Sequence, residues 1–233
     1  APNLVMSTTF VIEDAEAKFS ATAMTSETPF TYTRWLNPTV RQLEVKLASL
    51  ENAEDCIAFA SGMAATTTLF LNLLKTGDHL VLSDVVYAGV AEFARGALQK
   101  LGVEVTAADL SDHDDLRKAL RPNTRLVHAE TPANPILRLT DLEAVAKITH
   151  QAGAVLSVDS TFATPIALRP LDMGADYVLH SLTKYMGGHG DAIGGAVLGS
   201  VARLESLRQD TIRAGGILSP FNAWLIMRGM ATL

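Results

Sequence analysis

Lys184 stands in the run His180-Ser181-Leu182-Thr183-Lys184-Tyr185, with a hydroxyl side chain one and three positions before it. A lysine amine becomes a nucleophile where it is accessible and partly desolvated. Hydroxyls beside it can bind a phosphate. An ordinary surface lysine is the alternative, but none of the other six lysines ends an apolar run in this way. Asp159 closes a second apolar run, Ala154-Val155-Leu156-Ser157-Val158. A carboxylate there is costly without a partner. Two uses fit: a turn or N-cap aspartate, or a carboxylate paired to a cation or protonated ring nitrogen. Ser61-Gly62-Met63 lies between an apolar run and a helical pattern. Backbone N–H groups at such a junction can hold a phosphate, although a tight turn alone would also account for it. Tyr87, after another apolar run, can stack on a flat ring and pass protons, or simply pack. Tyr32 and Arg34 lie in an irregular N-terminal stretch, where the arginine suits a phosphate. His189 has no second histidine at metal-ligand spacing and reads as structural. Cys56 reads as a small core residue.

An amine nucleophile, a carboxylate partner, a stacking aromatic and several phosphate-holding groups form one set. Pyridoxal 5′-phosphate (PLP) asks for this set: a lysine imine, an acidic partner for its ring nitrogen and a phosphate cradle. No metal site is expected. Neither G-x-G-x-x-G nor G-x-x-x-x-G-K-[ST] occurs, which argues against a dinucleotide fold and a P-loop.

These residues have to be positioned by regular elements. Seven short apolar runs qualify as strands: Cys56–Ala60, His79–Ser83, Val103–Ala108, Arg125–Ala129, Val155–Asp159, Asp176–His180 and Ala196–Gly199. Asn37-Pro38 opens a helix with apolar positions at Val40, Leu43, Leu47 and Leu50. Further helices are predicted over Met63–Lys75, Val90–Leu101, His113–Leu120, Leu142–Gln151, Val201–Arg213 and Phe221–Leu233. The alternation predicts an α/β fold, a mostly parallel sheet of about seven strands sandwiched by helices. Ligands of such sheets sit at the carboxyl ends of the strands, where the residues above fall.

Composition sets the outer bounds. The chain has 233 residues, 48% hydrophobic and 19% charged. Folding at this length buries roughly 70–75% of the chain's surface, and the apolar content excludes disorder. No apolar run reaches the ~18–20 residues of a membrane helix, so no membrane association is expected. A single cysteine excludes an intramolecular disulfide framework. The net charge of −6, without a basic block, excludes a nucleic-acid footprint. No signal peptide is visible, and a cytoplasmic location is expected. The chain opens without methionine and stops inside a predicted helix, so its natural ends are expected to lie beyond it.

Taken together the motifs resemble the cystathionine- and methionine-metabolism family of fold-type I PLP enzymes. The likeness rests on Tyr32-Thr33-Arg34-Trp35-Leu36-Asn37-Pro38-Thr39, Ala60-Ser61-Gly62-Met63-Ala64 and Glu130-Thr131-Pro132-Ala133-Asn134-Pro135. It continues through Val158-Asp159-Ser160-Thr161-Phe162, His180 to Lys184-Tyr185 and on to Gly188-His189, and Leu218-Ser219-Pro220-Phe221-Asn222-Ala223-Trp224. The resemblance implies an aspartate-aminotransferase-like large domain over residues 37–233, preceded by an arm over residues 1–36. It implies that Lys184 carries the cofactor as an imine and Asp159 pairs with the pyridinium nitrogen. Tyr87 would stack on the ring and assist proton transfer. Gly62, Met63, Ser181 and Thr183 would hold the phosphate, and Asn134 would sit near the ring hydroxyl. Tyr32 and Arg34 would reach the phosphate of a neighbouring subunit, in a homodimer that shares active sites, usually within a homotetramer. A small C-terminal domain, supplying the arginine for the substrate carboxylate, would lie beyond Leu233.

The implied activity is α,γ-elimination on a sulfur amino acid, closest to methionine γ-lyases, which gives 2-oxobutanoate, ammonia and a thiol. Gly89 stands where those lyases carry a cysteine, and Thr211 and Ile212 fall about where they carry a Lys–Asp pair. γ-Replacement on an O-acetyl- or O-succinylhomoserine (sulfhydrylase or cystathionine γ-synthase) and cystathionine γ-lyase activity stay open. A non-catalytic cofactor-binding or dimerising fragment is the alternative outside enzymes.

Overall fold

The structure is a computed structural model that describes residues 3–12 and 29–233. The rest of the predicted arm, residues 1–2 and 13–28, lies outside the described residues. Seven strands run in the order β1-β7-β6-β5-β4-β2-β3. They are β1 (Asp55–Phe59), β2 (His79–Ser83), β3 (Glu104–Ala108), β4 (Thr124–Glu130), β5 (Val155–Asp159), β6 (Tyr177–Ser181) and β7 (Gly195–Gly199). Pairing is parallel between β2 and β3, β2 and β4, β4 and β5, and β5 and β6. β1 and β7 pair antiparallel, Asp55 opposite Gly199, so the sheet is mixed. The chain divides into two compact units.

One unit comprises Ala1–Thr68 and Ser181–Leu233. Its first helix, α1 (Pro38–Glu51), starts where Asn37 Oδ1 accepts from the Thr39 and Val40 amides and Pro38 opens the first turn. It ends at Asn52 in the left-handed conformation, φ 57°. Leu43 and Leu47 of α1, Ile57 and Phe59 of β1, Leu207 of α7 (Val201–Ala214) and Ile226 of α8 (Pro220–Gly229) are wholly or almost wholly buried. An ionic cluster crosses this core. Arg208 on α7 donates to Asp55 Oδ2 at 3.0 Å and to the Cys56 carbonyl at 2.8 Å, and faces Glu44 at 3.4 Å. Arg41 reaches the other Asp55 oxygen at 2.6 Å, and Glu44 Oε1 accepts from the Ala58 amide. Cys56 is fully buried, and burial pushes its thiol well up, which fits a core residue.

The other unit is Leu69–His180. Leu80 and Leu82 of β2, Leu126 of β4, and Leu156 and Val158 of β5 are buried; α5 (Leu142–Gln151) packs on β5, and α4 (His113–Ala119) packs on β3 and α5. β3 departs from the fully apolar strand pattern: Glu104 is exposed because this strand ends the sheet. The helix predicted over Val90–Leu101 is α3 (Ala88–Phe93) continued by a π-helical turn at Ala94–Leu98. α2 (Gly62–Leu73) begins one residue earlier than predicted. A four-residue helix, α6 (Thr164–Ala167), follows β5. Among the described residues no helix is long and apolar enough to cross a membrane, and no cluster of His, Cys, Asp or Glu is placed to hold a metal ion.

Removing Arg208 leaves two buried carboxylates with Arg41 alone, a loss of the order seen when one partner of a buried ion pair is deleted. Arg208→Met should lower unfolding stability by about 3–5 kcal/mol, read as a lower urea midpoint at unchanged slope.

Candidate active site

In the first unit the chemistry gathers around Gly62, the first residue of α2. The N–H groups of a helix's first turn have no intrahelical acceptor, so those of Gly62 and Met63 are available to an anion. Ser61 Oγ accepts from the Ala64 amide and fixes the turn. Ser181, the last residue of β6, lies directly across. A Cβ built on Gly62 would come within 3.0 Å of Ser181 Cβ and 3.1 Å of its Oγ. Even alanine would close this corner. Thr183 is held by reciprocal 3.2 Å contacts of its Oγ1 with the Gly194 carbonyl and amide. The Lys184 amide donates to the Ser181 carbonyl, and its side chain is exposed.

Tyr32 and Arg34 belong to the same unit. The Arg34 guanidinium lies 5.4 Å from the centre of the Tyr32 ring, and its Nη1 donates to the Ile212 carbonyl at 2.6 Å. One of five N–H donors is thereby used. His189 is exposed, with Nδ1 3.0 Å from the Gly187 carbonyl, in keeping with its structural reading.

The second unit carries Tyr87, Asn134 and Asp159. Tyr87 precedes α3 and is 56% exposed. Asn134 is exposed in the loop after β4. Asp159 ends β5, and its Oδ1 accepts from the Thr161 amide at 2.9 Å, so the turn role is realised. That bond leaves the carboxylate capacity for a further donor.

A residue that the sequence reading passed over sits among them. Glu130 ends β4 in register with Asp159. Its Oε2 accepts from the Tyr87 amide at 2.7 Å, and its Oε1 from the Asn134 amide at 3.2 Å. Like Asp159, Glu130 is a carboxylate that ends an apolar strand. Burial first, and the neighbouring Asp159 second, push the Glu130 carboxyl up to about 7. Behind Asp159 on β4, His128 is buried against Phe70, with Nδ1 2.8 Å from Ser157 Oγ. Burial pushes it down to about 4, while the Asp159 charge pulls the other way.

The residues present fit PLP. The Gly62 corner brings the N–H groups of a helix start beside the Ser181 hydroxyl, a set of donors that suits a phosphate dianion. The whole chain, residues 1–233, matches the family described as Cys/Met metabolism PLP-dependent enzyme. The chain belongs to this family.

Its relatives include a canavanine γ-lyase of Pseudomonas canavaninivorans, 42% identical over 99% of this chain and 57% of that protein. An L-methionine γ-lyase of Treponema denticola is 42% identical over 100% of this chain and 59% of that protein. Among solved structures, that of metB from Corynebacterium glutamicum superposes with a TM-score of 0.93 at 41% identity, covering 100% of this chain and 58% of the other. The chain therefore spans under two thirds of the length of these Cys/Met-metabolism relatives.

The titrations beside Asp159 have opposite signs. His128 binds its proton more weakly when folded, so its contribution is fully present above pH 6.5 and is lost as pH falls toward 4. Glu130 binds its proton more tightly when folded, so its contribution is present below pH 4.5 and is lost as pH rises through about 7. His128→Gln should flatten the acid limb of stability between pH 6.5 and 4 by up to about 1.4 kcal/mol per pH unit. Urea midpoints across pH 4 to 8 measure it.

Proposed function

We propose that the protein is a PLP-dependent lyase that performs α,γ-elimination on an amino acid with a sulfur substituent at Cγ. The observation that carries this reading is the close approach of Gly62, at the N-terminus of α2, to Ser181, three residues before Lys184. The family supports the cofactor. The lyase names among its relatives support the reaction class.

Bound PLP supplies an electron sink for a carbanion at the substrate's α-carbon. The chain's own residues do the rest. Gly62 and Met63 amides with the Ser181 and Thr183 hydroxyls bind the phosphate. Lys184 would anchor the cofactor, and its free amine would take the substrate's α-proton. Asp159 keeps the proton on the ring nitrogen, since a nearby carboxylate favours the charged form. Tyr87 would stack on the ring and could deliver a proton to the departing sulfur. Asn134 orients the ring hydroxyl. Lys184 is exposed within one chain, so its desolvation comes from what covers the site. Tyr32 and Arg34 of a neighbouring subunit supply part of that cover, in a homodimer or a tetramer of such dimers.

Two canavanine γ-lyases, 42% and 47% identical, favour a second reading in which canavanine is the substrate cleaved. A panel of L-methionine, L-homocysteine, cystathionine, canavanine and O-acetylhomoserine, each with and without sulfide, separates the readings. Keto acid and ammonia should form from a sulfur amino acid without an acceptor, and Lys184→Ala should abolish this. Product formed only when sulfide is supplied would replace elimination with γ-replacement. For the shared site, mixed Lys184→Ala and Arg34→Ala subunits should regain activity that neither variant shows alone. No recovery after demonstrated subunit exchange would count against the cross-subunit role.

A further inference from the structure

We propose that Glu130 is a positioning residue whose carboxylate clamps the loop presenting Tyr87 to the loop presenting Asn134, and so sets where both side chains meet the bound cofactor. The inference rests on the PLP reading above and adds a residue to it. Tyr87 and Asn134 are both exposed, so packing does not hold their side chains in place. Their backbones are held instead, and by the two oxygens of one carboxylate.

The Tyr87 amide stands just before α3, and the Asn134 amide lies in a loop. Neither belongs to a strand ladder. Glu130 is itself only 9% exposed at the end of β4. It is therefore anchored by the sheet and reaches outward to both loops. Charge-assisted bonds from backbone N–H groups to a carboxylate are about twice as strong as neutral ones. Above about pH 7, where the group is ionised, an oxygen is given to each N–H and the carboxylate works as a tether. Asp159 faces it from β5 in register, and His128 stands two residues earlier on its own strand. Arg138 joins the same loops further out, reaching Asp84 at 2.7 Å and Asp109 at 3.1 Å. Those groups are all partly exposed, so that link is the weaker one.

Glutamine at this position offers one acceptor oxygen in place of two. Glu130→Gln should therefore release one loop, and Glu130→Ala both. Amide hydrogen exchange in peptides containing Tyr87 and Asn134 reads this directly, with or without cofactor. A peptide from α4 serves as the control. Exchange should rise about tenfold in one loop for Glu130→Gln and in both for Glu130→Ala, as expected for losing one charge-assisted bond at each amide. The α4 peptide should stay at the wild-type rate. In the loaded enzyme kcat should fall about tenfold, while PLP affinity, set at the phosphate corner, changes less than twofold. Wild-type exchange in both loops of Glu130→Ala would overturn the clamp. So would an equal rise across α4, which would mark a general loss of stability. Wild-type protein that takes up no PLP would count against the proposed function, and the exchange rates would still decide the clamp.

Discussion

At the start of α2 the backbone of Gly62 passes so close to Ser181 that a methyl group would bring two carbons to 3.0 Å. A second glycine makes that approach possible from below. A Cβ on Gly195, the first residue of β7, would fall 2.2 Å from the Ser61 carbonyl oxygen. Two absent side chains thus let a strand end and a helix start meet with their N–H groups and hydroxyls converging. The positions of Ser181 and Lys184 relative to the first turn of α2 depend on this spacing. The buried ions of Arg208, Glu44 and Asp55 serve it indirectly, by fixing α1, β1 and α7 around the same unit.

The second unit solves a different problem. Two carboxylates, Glu130 and Asp159, end adjacent parallel strands in register. Like charges so placed raise the cost of ionising both. The structure answers by giving Glu130 two backbone N–H donors and Asp159 one. One carboxylate is consumed in holding loops, while the other keeps capacity to pair with a ring nitrogen. Neither proposed role would depend on what a substrate carries at Cγ. That is consistent with relatives whose names span canavanine, methionine and cystathionine chemistry at 42–46% identity. Two of the three positions expected from the resemblance to differ from methionine γ-lyases are packing residues. Thr211 and Ile212 are buried on α7, the threonine hydroxyl bonding back to the Leu207 carbonyl.

Much of this was legible in the sequence because strand and helix periods are local. The Asn37-Pro38 cap, the apolar runs of β2 and β5, and the loaded residues after the strands all announce themselves in a few consecutive side chains. The antiparallel pairing of β1 with β7 did not, since an apolar run looks the same in either direction. The exposure of Glu104 depends on β3 ending the sheet, a fact of strand order. Glu130 escaped because its partners are backbone amides 43 and 4 residues away, and backbone donors leave no mark on residue type. Asp159 was easier to single out because a turn or a ring nitrogen gives it an obvious partner.

Lys184, beside the Gly62–Ser181 corner, is the proposed point of attachment for PLP. Borohydride reduction of the PLP-loaded protein, followed by peptide mapping, tests it most directly. The account predicts a single stable pyridoxyl adduct on the peptide containing Lys184. An adduct on any other lysine, with Lys184 unmodified, would contradict it.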